Sequence, residues 1–258
     1  MNAADIERIK DLLPTSMGSE EIRRNVAADI LRRSVFSARM ESARYLARVR
    51  EVCAQMLEGR ISQADARNVL GGILERMGLS PQDGGGLANP ASIRRLDLIV
   101  ETQTQMAASV AQLQEQTPAV TAMWPAWELT RLEGRAMPRG DWPQRWDAAG
   151  RAVGFDGVSR DYGRMVALKS SPIWQALGDG AGGFRDTLGN PYPPFAYGSG
   201  MGWVDVTREE CEALGLDMSS AEAFSPPEQP SLAPDREELA RVAEKWGFDY
   251  DEIAKGVA

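Results

Sequence analysis

Any chemistry in this chain has to run without histidine, because its 258 residues contain none. That excludes the Ser-His-Asp triad, the Cys-His pair and a histidine general base. Zinc sites with an imidazole ligand and facial-triad iron sites go with them. The two cysteines, Cys53 and Cys211, lie far apart with no CxxC spacing, which excludes a disulfide scaffold and a cysteine-cluster metal site. Carboxylates, lysine, tyrosine and serine remain. They form no catalytic, metal-ligating or cofactor-binding set at motif spacing. The chain is therefore expected to be a structural or binding protein and not an enzyme, with no cofactor and no structural metal.

Four groups of residues invite a sharper reading. Gly178 to Gly183 (GDGAGG) resembles a phosphate cradle, but no Lys-Ser/Thr follows in register, so it reads as a surface turn. Glu209, Glu210 and Glu212 fall in the first turn of a helical segment, where acids complement the dipole. Asp249, Asp251 and Glu252 cluster without a calcium-loop spacing. Trp124, Trp127, Trp142 and Trp146 lie among Arg131, Arg135, Arg139 and Arg145. Tryptophan more often builds a core than an exposed platform, although Arg beside Trp also suits a nucleic-acid or protein interface. The segment NPYPPFAYGSGMGW, Asn190 to Trp203, is the most distinctive. Its prolines, Pro193 and Pro194 among them, restrict the backbone around the rings of Tyr192, Phe195 and Tyr197. Such a strip either pins a loop onto a core, with Trp174 and Trp203 as the nearest large partners, or presents anchors to another protein.

The elements that position these residues divide the chain. Ile22, Val26 and Ile30, then Leu46, Val49, Cys53, Met56 and Leu57, follow helical spacing, as one helix or two hinged near Ser34 to Ser37. Ser62 with Asp65 makes a capping box for a helix carrying Val69, Ile73, Leu74 and Met77. After a glycine-rich loop, Asn89-Pro90 starts a helix running toward Pro118, about 27 residues and roughly 40 Å long. Trp124 with Trp127 and Trp142 with Trp146 each fit one short helical face. Strands are expected at Arg164 to Lys169 and Trp203 to Val206, and Thr207 with Glu210 makes a second capping box. Four prolines between Ser219 and Pro234 mark a linker, after which Asp235 and Glu238 cap a last helix. The expected fold is mainly α with a small α+β C-terminal module. Its parts are a helical region 1–118, a compact Trp/Pro/Gly-rich module 119–217, and an acidic tail 218–258 that is removable without unfolding the body.

Composition agrees with a folded chain: 43% of residues are hydrophobic and 26% charged, enough to build a core. No stretch approaches the roughly 20 apolar residues of a membrane helix. Met1 to Lys10 carries a charged helical pattern without an apolar core, so a cytoplasmic protein with no membrane partner is expected. The net charge of −8 is unevenly spread: residues 204–258 hold fourteen acids and five bases, the other 203 hold 23 acids and 24 bases. The first 60 residues lean basic, eleven against nine, which suits a solvated helix face or, less simply, DNA or an acidic partner.

Three regions together resemble the head morphogenesis proteins of tailed phages, the minor head proteins encoded beside the portal. They are SVFSARMESARYL (Ser34 to Leu46) with GRISQADARNVL (Gly59 to Leu70); WPAWELTR (Trp124 to Arg131) with DWPQRWDAAG (Asp141 to Gly150); and RMVALKSSPIW (Arg164 to Trp174) with GNPYPPFAYGSGM (Gly189 to Met201). The resemblance implies a virion protein present in several copies, made in the host cytoplasm. It implies contacts with the portal or other head proteins, and weakly with DNA, during head assembly and genome packaging or delivery. The broader family usually carries His and paired Cys around its YPP motif, resembling metal ligands; here His is absent and Cys211 stands alone. The other classes the residues leave open are a phage nuclease or hydrolase using carboxylates and a metal, and a free helical adaptor.

Overall fold

The computed structural model describes residues 1–80, 86–134, 139–155, 163–224 and 236–245. The prolines between 225 and 234, Asp235, Trp246, Arg135 and the acids Asp249, Asp251 and Glu252 lie outside the described residues. The chain forms two compact units, Met1–Ala111 with Ser231–Ala258, and Gln112–Pro230. The fold is mainly α, with a small two-sheet strand content.

In the first unit, the expected stripe from Ile22 to Leu57 breaks into several elements. Helix α1 (Ala3–Arg8) leads into strand β1 (Asp11–Leu12); α2 (Ser19–Asn25) and α3 (Ala28–Arg32) follow, then β2 (Ser34–Val35) and α4 (Ala43–Leu57). The interruption has a physical source: β1 and β2 pair in parallel, with Asp11 opposite Ser34 and Leu12 opposite Val35. Arg39 adopts a left-handed conformation, φ 59°, which a helix cannot contain. Ser42 then caps α4 by accepting from the Tyr45 N–H at 3.2 Å.

Helix α5 (Gln63–Arg76) begins at the Ser62–Asp65 capping box. Helix α6 (Ile93–Gln114) is 22 residues long. It starts later than Asn89-Pro90 implied, because the Asn89 side chain accepts from the Ala91 N–H in a local turn. Ser92 accepts from the Arg95 N–H instead, at 3.2 Å. Leu46, Val49 and Cys53 of α4, Leu70 and Leu74 of α5, and Leu96 and Val100 of α6 form one apolar cluster. Cys53 is fully buried there, and burial pushes its thiol well above the ordinary value, so it serves as a small core residue.

A charged pair also lies inside this unit. Lys10 Nζ is 2.6 Å from Glu7 Oε2, with both side chains almost wholly buried, and 2.7 Å from Gln103 Oε1. Burial pushes the Glu7 carboxyl up, against the opposing pull of Lys10 and Arg50. Arg50 also donates to the Lys10 carbonyl at 2.7 Å. Such a pair specifies one arrangement of α1 against its neighbours more than it adds stability.

The second unit opens with α7 (Pro118–Met123), whose cap Thr117 accepts from the Val120 N–H at 3.2 Å. Strand β3 (Ala126–Arg131), α8 (Trp142–Val153), β4 (Val166–Leu168), α9 (Ile173–Asp179), β5 (Met201–Val206) and α10 (Arg208–Ala213) follow. The sheet order is β4-β3-β5, antiparallel throughout, with Ala126 opposite both Leu168 and Val206. Trp127 therefore lies in the central strand. The expected helical pairing of Trp124 with Trp127 fails because Pro125 intervenes and the chain enters β3. Trp142 and Trp146 do share α8.

The last described elements of the tail expected to be removable make packing contacts. Met218–Ala223 form a 3-10 helix; Ala221 and Met218 pack with Ala126, Val166, Cys211 and Leu214, and Phe224 meets Trp127 edge-on at 5.6 Å. Helix α11 (Arg236–Lys245) belongs to the first unit. Its Val242 packs on the cluster of Leu13, Met17, Ile22, Val26 and Ile30. Truncation after Asp217 removes all of these contacts, so it is expected to lower the thermal midpoint by several degrees, at about 2–4 °C per kcal/mol for a chain of this size. An unchanged midpoint by calorimetry would show that they contribute nothing.

Candidate functional site: an aromatic core closed by an arginine clasp

The four segments that carry the tryptophans and the proline-aromatic strip converge in the second unit. Trp127 on β3 and Trp203 on β5 are diagonal neighbours on one face of the sheet. Their rings stack at 3.8 Å with 6° between planes. From α9, Trp174 stands edge-on to Trp127, Trp203 and Trp146 at 6.0, 5.6 and 5.5 Å. Its indole N–H donates to the Leu168 carbonyl at 2.9 Å. Phe195 lies near-parallel to Trp174 at 6.2 Å and edge-on to Trp203 at 6.0 Å. Offset and edge-on contacts of this kind add about 0.5–1.5 kcal/mol each beyond area burial.

Of the nine residues singled out from the sequence, Trp127, Trp142, Trp146, Tyr192, Pro193, Pro194 and Phe195 are buried, while Trp124 and Tyr197 are half-buried. Trp174 and Trp203 are the ring partners of Phe195. The strip turns back along the preceding segment: Leu188 N–H donates to Phe195 O at 3.1 Å and Tyr197 N–H to Asp186 O at 3.2 Å.

Gly178 explains how the strip fits. It is buried in α9 rather than in a surface turn, and a Cβ there would stand 1.7 Å from the Asn190 carbonyl oxygen. The Gly189 N–H donates to the Gly178 carbonyl at 2.8 Å. The GDGAGG segment thus lets backbone meet backbone and ends α9 at Gly180, φ 86°. Asn190 itself is fully buried, with both side-chain polar atoms unpartnered.

Arginines that suited an external interface are used internally. Arg139 and Arg145 both bond Asp186, the latter at 2.9 and 3.1 Å. Arg145 also bonds Asp141 at 2.8 Å, and its guanidinium lies 4.3 Å from the Phe184 ring and 5.3 Å from that of Trp142. Arg139 reaches the Tyr197 carbonyl at 2.7 Å; Arg131 bonds the carbonyls of Ser199 at 3.1 Å and Arg139 at 3.0 Å. Three arginines therefore fasten the strip to α8 and the segment before it. Partial burial pushes the Asp186 carboxyl up, but the bonds and charges of Arg139 and Arg145 prevail and hold it below its ordinary value. Sequence reading missed Asp186, because nothing local distinguishes it from a solvated loop acid.

Glu210 completes the Thr207 capping box and contacts Arg164. Among the described residues no three His, Cys, Asp or Glu side chains gather to hold a metal. Burial raises the Cys211 thiol to about 11, which leaves it unreactive near neutral pH. Comparison with known proteins finds no matching family model, no matching curated protein and no matching solved structure.

Two substitutions probe this arrangement. Gly178→Ala drives a methyl group into backbone and is expected to cost about 3 kcal/mol, the upper part of the usual overpacking range. Gly140→Ala, where a Cβ meets nothing within 4 Å, is the control; equal denaturant midpoints for the two would refute the close approach. Asp186→Asn removes charge-assisted bonds and is expected to cost about 2 kcal/mol near neutral pH. A carboxyl held low in the folded state contributes stability above its unfolded pKa of about 3.9, and loses it as pH falls through the lower folded value. The deficit of the Asn variant should accordingly shrink as the melts are taken to more acid pH. A deficit independent of pH would show that the charge is immaterial.

Proposed function

We propose that the chain is a structural minor head protein of a tailed phage, acting through contacts with the portal or other head proteins and carrying no enzymatic activity. One observation supports this most: four of the six segments behind the resemblance meet in the second unit. Trp127, Trp146, Trp174 and Phe195, drawn from WPAWELTR, DWPQRWDAAG, RMVALKSSPIW and GNPYPPFAYGSGM, build a single core. For these four segments the likeness falls on residues that pack together in one folded module.

The internal use of charge supports the non-enzymatic part. Arg139 and Arg145 both bond Asp186, and Lys10 pairs with Glu7 inside the first unit. No described helix is long and apolar enough to cross a membrane. In this reading the protein is made in the host cytoplasm and incorporated in several copies into the head, with DNA as a secondary contact.

The test is fractionation of a phage lysate by sedimentation, with the protein followed by mass spectrometry. The reading expects it in the head fraction together with portal protein. Recovery only at the top of the gradient would overturn it. Cleavage of DNA by the purified chain with magnesium or manganese would overturn the non-enzymatic part.

A further inference from the structure

Lys169 has a place in the second unit that packing alone does not require. It follows β4, and its backbone N–H donates to the Pro125 carbonyl at 2.9 Å. Its side chain has no solvent exposure and reaches Asp205 of β5, Nζ to Oδ1 2.7 Å. Since the strand order is β4-β3-β5, the two residues come from opposite sides of β3. Trp127, directly opposite Asp205 in register, lies beneath the link, with Nζ 5.2 Å from its ring centroid. The remaining contact is Gln116 Oε1 at 2.6 Å. Gln116 Nε2 donates to the Gln112 carbonyl at 2.9 Å, which fixes the amide with its oxygen toward the lysine.

We propose that Lys169 and Asp205 become joined by an isopeptide bond, a self-formed crosslink tying together the two strands that flank β3. In the proposed step the Lys169 ammonium, which has no solvent exposure, passes a proton to the Asp205 carboxylate it touches, giving an amine and a carboxylic acid. The amine nitrogen then attacks Asp205 Cγ, forming the C–N bond. One Cγ–O bond breaks, and that oxygen leaves as water, taking a proton from the nitrogen. No oxidant, metal or other reactant is consumed. Gln116 Oε1 accepts an N–H from the nitrogen and stabilises the positive charge it gains during attack. Asp205 is about one-third exposed, which gives the water an exit. The fixed contact supplies the proximity that such a condensation needs. Burial also pushes the Lys169 amine below its ordinary value, against the pull of Asp205, which enlarges the reactive neutral fraction.

The inference is independent of the head-protein reading. The intact mass of the purified full chain, measured under denaturing conditions, is expected to be one water below the sequence mass. Trypsin should fail to cut after Lys169, and the digest should contain a branched peptide joining Lys169 to Asp205. Lys169→Arg and Asp205→Ala should each restore the full mass, a readout that holds whether or not the variant folds well. Asp205→Asn should lose ammonia in place of water. The full sequence mass in the wild-type chain, with both residues in separate linear peptides, would overturn the proposal and leave an ion pair only.

Discussion

The stack of Trp127 on Trp203 is the contact around which the second unit is organised. Its sheet has three strands, and β4 is only three residues long, too little to be stable without a packed face. The rings supply that face. Trp174 brings α9 against it, Trp146 brings α8 against Trp174, Phe195 draws in the strip, and Phe224 covers Trp127 from a further side. Each large ring contributes about 1.5–3 kcal/mol by burial, so a few such contacts amount to much of a domain's net stability. Gly178 is the geometric counterpart: the strip reaches Trp174 and Trp203 only because α9 offers bare backbone where Asn190 passes.

Charge is managed in the same enclosed way. Arg145 is nearly buried yet meets two carboxylates and two rings; Lys10 meets Glu7 and Gln103; Lys169 meets Asp205 and Gln116. Isolated buried charges would be prohibitive. Paired ones instead restrict which arrangement of segments is acceptable. Loss of one partner is therefore more damaging than replacement of both, and these pairs act as registry devices for loops that have little regular structure of their own.

The local part of this fold was legible in the residues. The Ser62–Asp65 and Thr207–Glu210 boxes need only a three-residue spacing, and the strands at 166–168 and 201–206 announce themselves by β-branched and aromatic content. Burial of most of the tryptophans and of the strip followed from their size and from the scarcity of other core material. What stayed hidden depends on distant pairing. The two-residue match of β1 with β2 falls at the Ser34 to Ser37 hinge that the spacing allowed, but its pairing with Asp11 and Leu12 is set by residues more than 20 positions away. Gln116 lies 53 residues before Lys169, and Asp186 lies 41 residues after Arg145; neither separation leaves a local trace. The tail looked detachable because its prolines and acids dominate its composition, while the contacts of Ala221, Phe224 and Val242 rest on single apolar residues.

The account stands on Phe195 being a core residue of one aromatic cluster, not an exposed anchor. Thermal unfolding and tryptophan emission of Phe195→Ala test this most directly. The cluster predicts a loss of roughly 3–5 kcal/mol, the usual cost of emptying a buried phenylalanine site, together with a red shift as water reaches Trp174 and Trp203. An unchanged midpoint with unchanged emission would contradict it.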